Sequence, residues 1–312
     1  QGLGADPGPN RTVSRGVDVQ LDGSLSWSPN KIIVYKWDLN GDKDLNDAKG
    51  VKPSYRWKET GTYKISLKIE DENGKGDLNT ADITVVPNVD FTVTKVTTTP
   101  EDAIDGRILN FKTIIENQGL DTWEKRVLVS LKVDDRVVDS KYLKGPIDTK
   151  GSSEITLGWK ASPGAHKISI IIDPKMEIHE TDEKNNSYIG DIPEVPSPDL
   201  YVKTIEWTPK EGIGDGSKVT FKTEIENKGA ATLRDFVVRL YIDQHKLGDK
   251  RIKKGLGKGA AVPIPMEWTA KGGDHKIRHI PDIHHEIMES DEKNNALEKP
   301  IPFIPVPDLA LT

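Results

Sequence analysis

Apolar and polar residues alternate along much of the chain with a period of two. The runs Val17-Asp18-Val19-Gln20-Leu21, Tyr63-Lys64-Ile65-Ser66-Leu67-Lys68-Ile69 and Val127-Leu128-Val129-Ser130-Leu131-Lys132-Val133 each send alternate side chains to one face. That is the pattern of a strand with one face on a core and the other in water. Gly, Asn, Asp and Pro gather between such runs and supply the turns. No stretch sustains apolar residues at the 3.6-residue period of a helix, so the pattern predicts an all-β protein.

One stretch occurs twice and sets the organisation: Glu177-Ile178-His179-Glu180-Thr181-Asp182-Glu183-Lys184-Asn185-Asn186 and Glu286-Ile287-Met288-Glu289-Ser290-Asp291-Glu292-Lys293-Asn294-Asn295. Asp182 and Asp291 stand 109 residues apart, and the pairs Trp159/Trp268 and His166/His275 keep the same separation. A repeat of that length is a domain and not a solenoid turn. In 312 residues it predicts three cores, over 1–87, 88–192 and 198–305. Residues 193–197 are expected as a proline-rich spacer and 306–312 as the start of a further repeat, since Pro307-Asp308-Leu309 echoes Pro198-Asp199-Leu200. Short strands at regular spacing in modules of this size predict three immunoglobulin-like β-sandwiches in an elongated tandem array. The prolines in Ile192-Pro193-Glu194-Val195-Pro196-Ser197-Pro198 and Ile301-Pro302-Phe303-Ile304-Pro305-Val306-Pro307 favour extended, semi-rigid connections.

Composition narrows the chemistry. Charged residues make up 30% of the chain, but both signs are interspersed and the net charge is -6, so no basic face for nucleic acid is implied. The absence of cysteine excludes disulfide stapling, thiolate zinc sites and thiol catalysis. No apolar run approaches the ~18 residues of a membrane-spanning helix. Abundant Lys and Glu with scarce Gln and Cys is a bias associated with hot environments. A start at Gln1-Gly2-Leu3 reads as a mature or excised part of a longer exported protein.

In the first module, Leu21-Asp22-Gly23-Ser24, Ser28-Pro29, Tyr35-Lys36-Trp37-Asp38, Thr60-Gly61-Thr62-Tyr63 and Ile69-Glu70-Asp71-Glu72-Asn73-Gly74 follow one another in the order of a polycystic-kidney-disease (PKD) repeat, which this segment resembles. Trp37 is expected as the core anchor and Tyr63 as a cap on the sandwich. After Trp37-Asp38 the family's usual aromatic gives way to the polar insertion Leu39-Asn40-Gly41-Asp42-Lys43-Asp44-Leu45-Asn46-Asp47. Asp38, Asn40, Asp42 and Asp44 offer hard oxygens at alternate positions, as in a calcium loop. Lys43, however, stands where an EF-hand has Gly, and Lys49 where it has a carboxylate. The insertion is either a calcium site or a solvated turn.

The second and third modules resemble the CARDB (cell-adhesion-related) family of bacterial and archaeal surface proteins. The likeness rests on Val89-Asp90-Phe91 and Pro198-Asp199-Leu200, on Ile115-Glu116-Asn117-Gln118-Gly119 and Ile225-Glu226-Asn227-Lys228-Gly229, on the paired tryptophans, and on the repeated acidic stretch. Asp173, Glu180, Asp182, Glu183 and Asn186 in one copy, and Asp282, Glu289, Asp291, Glu292 and Asn295 in the other, supply the oxygens that calcium takes. The same residues are also turn formers, and Lys184 and Lys293 oppose a cation.

His275, His279, His284 and His285 fit no zinc spacing and read as surface imidazoles. No nucleophile elbow, zincin helix or phosphate loop is present, so no catalytic role is expected. Asn10 and Asn185 lie in glycosylation sequons. Trp37, Trp159 and Trp268 are expected in cores, while Trp27, Tyr35, Tyr55 and Trp57 are candidates for an exposed substrate-binding row.

The expected role is non-catalytic: extracellular or cell-surface modules that form a semi-rigid stalk and contact surface proteins, glycans or further copies of themselves. The alternatives are accessory modules that position the substrate of a secreted protease or glycoside hydrolase, and a piece of an S-layer or surface filament.

Overall fold

A computed structural model describes residues 2–306, and the echo at Pro307-Asp308-Leu309 lies outside them. Among the described residues there is no helix. Strands account for the regular structure, seven to each module. The described residues divide into two compact units, 2–97 with 112–157 and 169–189, and 98–111 with 158–168 and 190–306. The dividing line passes through the second module.

The first module holds β1 (Arg11–Ser14), β2 (Val19–Gln20), β3 (Ile32–Asp38), β4 (Ala48–Lys49), β5 (Ser54–Tyr55), β6 (Gly61–Asp71) and β7 (Gly76–Val86). A five-stranded sheet in the order β1-β7-β6-β3-β4 faces the pair β2-β5. The alternation in β6 does what its sequence predicts: Ile65, Leu67 and Ile69 are buried with Trp37, Leu39, Trp57 and Ile83. Trp37 lies opposite Leu67 in the β3–β6 register. It is wholly buried, and its indole N–H donates to the Gly50 carbonyl at 2.9 Å, so the large apolar ring leaves no stranded donor. Tyr63 packs on Trp57 at 6.2 Å between ring centroids and donates its hydroxyl to the Glu59 carbonyl at 3.1 Å, as expected of the cap.

The second module holds β8 (Phe91–Thr99), β9 (Ile108–Asn117), β10 (Val127–Val133), β11 (Arg136–Leu143), β12 (Ser152–Lys160), β13 (Gly164–Ile172) and β14 (Ser187–Val195). The third repeats it with β15 (Leu200–Thr208), β16 (Lys218–Asn227), β17 (Phe236–Ile242), β18 (His245–Ile252), β19 (Ala261–Thr269), β20 (Gly273–Ile280) and β21 (Leu297–Ile304). Each is a three-stranded sheet against a four-stranded one, in the orders β12-β9-β8 and β11-β10-β13-β14, then β15-β16-β19 and β18-β17-β20-β21. This is the immunoglobulin-like sandwich, with Phe221, Phe236, Leu240, Ile264 and Ile277 at the centre of the third core.

The Ile-Glu-Asn-x-Gly motif has a local cause. Asn227 is buried, and its amide nitrogen donates to Ala230 O (2.7 Å) and Leu256 O (2.9 Å) while its oxygen accepts from Asp199 N (3.0 Å) and Gly229 N (3.1 Å). Asn117 makes the same four bonds, to Asp121 O, Ile147 O, Asp90 N and Gly119 N. A side chain at Gly119 would meet the Asn88 carbonyl at 2.3 Å, which is why glycine follows.

Two expectations change. Residues 193–195 of the expected semi-rigid spacer belong instead to β14, which runs through Pro193 to Val195, with Ile192 and Val195 buried. β21 likewise contains Pro300 and Pro302. Both are edge strands, where a missing N–H costs no ladder bond. Trp159 is buried as expected, but Trp268 is only half-buried, stacked on Phe221 and held edge-on by His275.

Candidate metal centre

The insertion of the first module begins where β3 ends. Asp38 is 2% exposed, and its carboxylate accepts from Gly41 N at 2.7 Å, Lys43 N at 2.9 Å and Asn40 N at 3.3 Å, winding the chain around it. Lys43 takes a φ of 74°, the left-handed backbone that glycine holds at the sixth position of an EF-hand. Asp47 folds back to accept from Leu39 N at 2.7 Å. Buried Leu39 and the Trp57 indole, which donates to the Leu39 carbonyl at 2.8 Å, anchor the loop to the core. One oxygen each of Asp38, Asp42 and Asp47 then lies within 4.8 Å of the others, a convergence found nowhere else among the described residues.

Sequence reasoning named two of those three. Asn40 and Asp44 turn to local work instead: Asn40 Oδ1 accepts from Asp42 N, and Asp44 Oδ1 from the Asn46 amide. Asp47 was missed because counting alternate positions stops short of it. Its signal is the return of the chain to Leu39 N, which spacing alone does not show. An all-oxygen set of three carboxylates, one of them buried, fits calcium better than zinc.

The repeated acidic stretches fold differently. In the third module, Asp282 accepts from Glu286 N and Ile287 N, both at 2.9 Å, and closes a turn after β20. Glu289, 8% exposed, reaches across to accept from Leu200 N at the start of β15, and its other oxygen takes Asn295 Nδ2 at 2.8 Å. Glu292 accepts from Glu289 N at 3.2 Å and from Asn295 Nδ2 at 3.2 Å, while Asp291 caps Lys293 N at 2.9 Å. The second module repeats the arrangement: Glu180 accepts from Phe91 N at 2.6 Å and Asn186 Nδ2 at 2.8 Å, Glu183 from Glu180 N at 3.0 Å, Asp173 from Ile178 N at 2.7 Å and Asp182 from Lys184 N at 2.9 Å. These carboxylates cap backbone amides, and the hairpin is latched to the first strand of its own module. Burial, with Glu183 and Asp173 or Glu292 and Asp282 nearby, pushes Glu180 and Glu289 up to about 8.

The histidines do not gather. His279, far from being a surface imidazole, is wholly buried, with Nε2 3.1 Å from Thr223 Oγ1 and Nδ1 without a partner. Burial pushes it down to about 3. His275 pairs with Asp243 at 2.9 Å, and His284 is exposed. Nor do the aromatics of the first module form an exposed row. Trp57 is buried with Tyr55 edge-on to it at 4.9 Å, and among the four only Trp27, at 43%, is substantially exposed. Of the sequons, Asn10 is exposed, whereas Asn185 donates its amide nitrogen to Asp90 at 2.8 Å.

Charged pairs close the approaches between modules. In the first unit, the Arg15 guanidinium forms a two-pronged pair with Asp121, which also accepts from Asn88 N at 2.7 Å, and Asn88 Nδ2 returns to Arg15 O at 2.9 Å. Arg15 holds the Asp121 carboxyl below its usual range. In the second unit Asp105 is wholly buried and accepts from Thr232 Oγ1 and Arg234 Nε, both at 2.6 Å, while Arg234 Nη2 donates to Ala161 O at 2.8 Å.

Tandem immunoglobulin-like sandwiches, one with a carboxylate-lined insertion and two with a latched acidic hairpin, define a multidomain array of β modules. The chain belongs to the CARDB family, whose profile matches residues 88–189 and 197–299, and a PKD domain profile matches residues 4–85. CARDB and PKD domains are typical of cell-surface or extracellular proteins. Similar solved structures include the CARDB domain of a Pyrococcus furiosus protein in complex with di-metal ions, at 21% identity and a TM-score of 0.32, covering 36% of this chain and 96% of that one. Another is a set of fibronectin(III)-like modules of Clostridium thermocellum, at 19% identity and a TM-score of 0.30, covering 61% and 90%. No curated protein matches.

Proposed function

We propose that the chain is a semi-rigid, non-catalytic stalk at the cell exterior that contacts surface proteins, glycans or further copies of itself, and that calcium stiffens its first module. The observation that carries the stalk reading is the pair of inter-module ion pairs, Arg15–Asp121 and Arg234–Asp105. A two-pronged guanidinium–carboxylate pair restricts rotation as well as separation, which a flexible tether has no need to do. The accessory-module reading has less support, because most of the aromatics that a substrate platform would present are engaged in the first module's core.

Calcium is assigned to Asp38, Asp42 and Asp47, with backbone carbonyls and water completing the six to eight oxygens it takes. The capped hairpins at Glu180 and Glu289 are assigned a structural role. Cross-linking on intact cells of the source organism tests the adhesive part. Recovery of a surface protein, a glycan-bearing component or a second copy supports it, and recovery of none counts against it.

A further inference from the structure

The junction that buries Asp105 has a twin at the far side of the third module. Asp105-Gly106 precedes β9, and Asp215-Gly216 precedes β16 in the same way. The backbones agree closely. Gly106 has φ 82° and donates to Ala161 O at 2.9 Å; Gly216 has φ 83° and donates to Ala270 O at 2.9 Å. Ala161 N donates to Arg107 O at 2.8 Å, and Ala270 N to Ser217 O at 2.8 Å.

In the second module this socket is filled. Thr232 and Arg234 enter it, Leu233 N donates to the Asp105 carbonyl at 2.8 Å, and a side chain on Gly106 would strike Arg234 at 2.9 Å. In the third module Asp215 is exposed, no described residue lies within 4 Å of a side chain placed on Gly216, and an open surface depression of about 610 Å³ is lined by Asp215, Gly216, Thr269, Ala270, Lys271, Gly272 and Val306. Gly272 N holds Asp215 Oδ1 at 2.9 Å and fixes the carboxylate in place.

The plug has a sequence requirement. Trp123 and Thr232 hold the same bridge position, opposite Ile147 and Leu256. Thr232-Leu233-Arg234 therefore answers Trp123-Glu124-Lys125 in the second module. That module follows a PKD domain, which lacks the socket, and there Glu124 stands where Leu233 enters. The plug is thus present in the repeat that follows a CARDB module and absent from the one that does not.

We infer that Asp215, Gly216 and Ala270 form a docking socket for a further CARDB module carrying a Thr-x-Arg plug. The inference is independent of the adhesive reading, since a stalk and an accessory array both need ordered junctions.

The test uses the full chain lengthened after Leu309 by a copy of residues 201–305, with fluorophores on the third and the added module and single-molecule energy transfer as the readout. Asp215→Asn, at an exposed site, is expected to raise the open fraction of the new junction roughly tenfold or more, the loss of a charge-assisted hydrogen-bonded pair. Arg→Ala in the added plug should do the same, and the two together no more than either alone. As a reference, Asp105→Asn is expected to open the preceding junction. An open fraction unmoved by Asp215→Asn, whether or not Asp105→Asn acts, overturns the inference.

Discussion

His279 holds in the third module the place that Ile170 fills in the second, and both are wholly buried. A buried imidazole with an unpartnered Nδ1 costs about 1–3 kcal/mol. His279→Ile made together with Thr223→Val, so that neither member of the Nε2–Oγ1 pair is left alone, is therefore expected to stabilise the third module by that order in denaturant unfolding. The sign with pH follows from its depressed pKa, about 3 against 6.5. The folded form resists protonation, so stability drains as pH falls below 6.5 and on towards 3, and the Ile variant should lose less over that window.

Glu180 and Glu289 work in the opposite sense. Their pKa is raised from 4.5 to about 8, so the stability they confer as neutral acids is complete below about 4.5 and lost as pH rises through 8. Glu289→Ala strands Leu200 N, while Asn295 Nδ2 keeps Glu292, and is expected to cost about 1–3 kcal/mol. Glu289→Gln keeps an acceptor for Leu200 N. With the Asn295 amide turned over, it also offers its own amine to the Asn295 oxygen that is now without a partner. The Gln variant should remain folded, and the melting temperature of its third module should fall less between about pH 5 and 9, while the second module, which keeps Glu180, still responds.

At the scale of the element, the β3–β4 insertion and the acidic hairpins read alike in sequence but differ in structure. Both were legible as carboxylate-rich turns between strands. In the hairpins every named carboxylate is spent on a backbone amide or an asparagine, and which amide depends on strand register, which alternation alone does not give. In the insertion the loop closes on itself and brings three carboxylates together, one of them at a position that spacing rules omit. Calcium is expected to raise the unfolding temperature of the first module, because an ion that binds only the folded form stabilises by RT ln(1 + [L]/Kd), about 2.7 kcal/mol at a hundredfold excess over Kd. Asp42→Asn and Asp47→Asn should weaken that response, and Asp44→Asn should leave it intact. A calorimetric scan with calcium and with a chelator checks all three.

At the scale of the molecule, the period-two pattern and the 109-residue repeat made three sandwiches legible before any coordinates. The junctions were not, because Asp105 and Arg234 stand 129 positions apart and neither belongs to a motif. Their physics is asymmetric. Asp105 is wholly buried by the contact, so Arg234→Ala leaves an uncompensated buried charge, of the order of 3–5 kcal/mol, and the module is expected to swing away sooner than keep that charge dry. The outer pair, Arg15–Asp121, keeps part of its surface in water and should cost less to break.

The most direct test is small-angle scattering of the full chain beside the Arg15→Ala, Arg234→Ala double variant, each melted separately to show that the modules stay folded. Ordered junctions predict that the variant scatters with more variable module spacing than the native chain. A native chain already as variable as the variant would contradict the account.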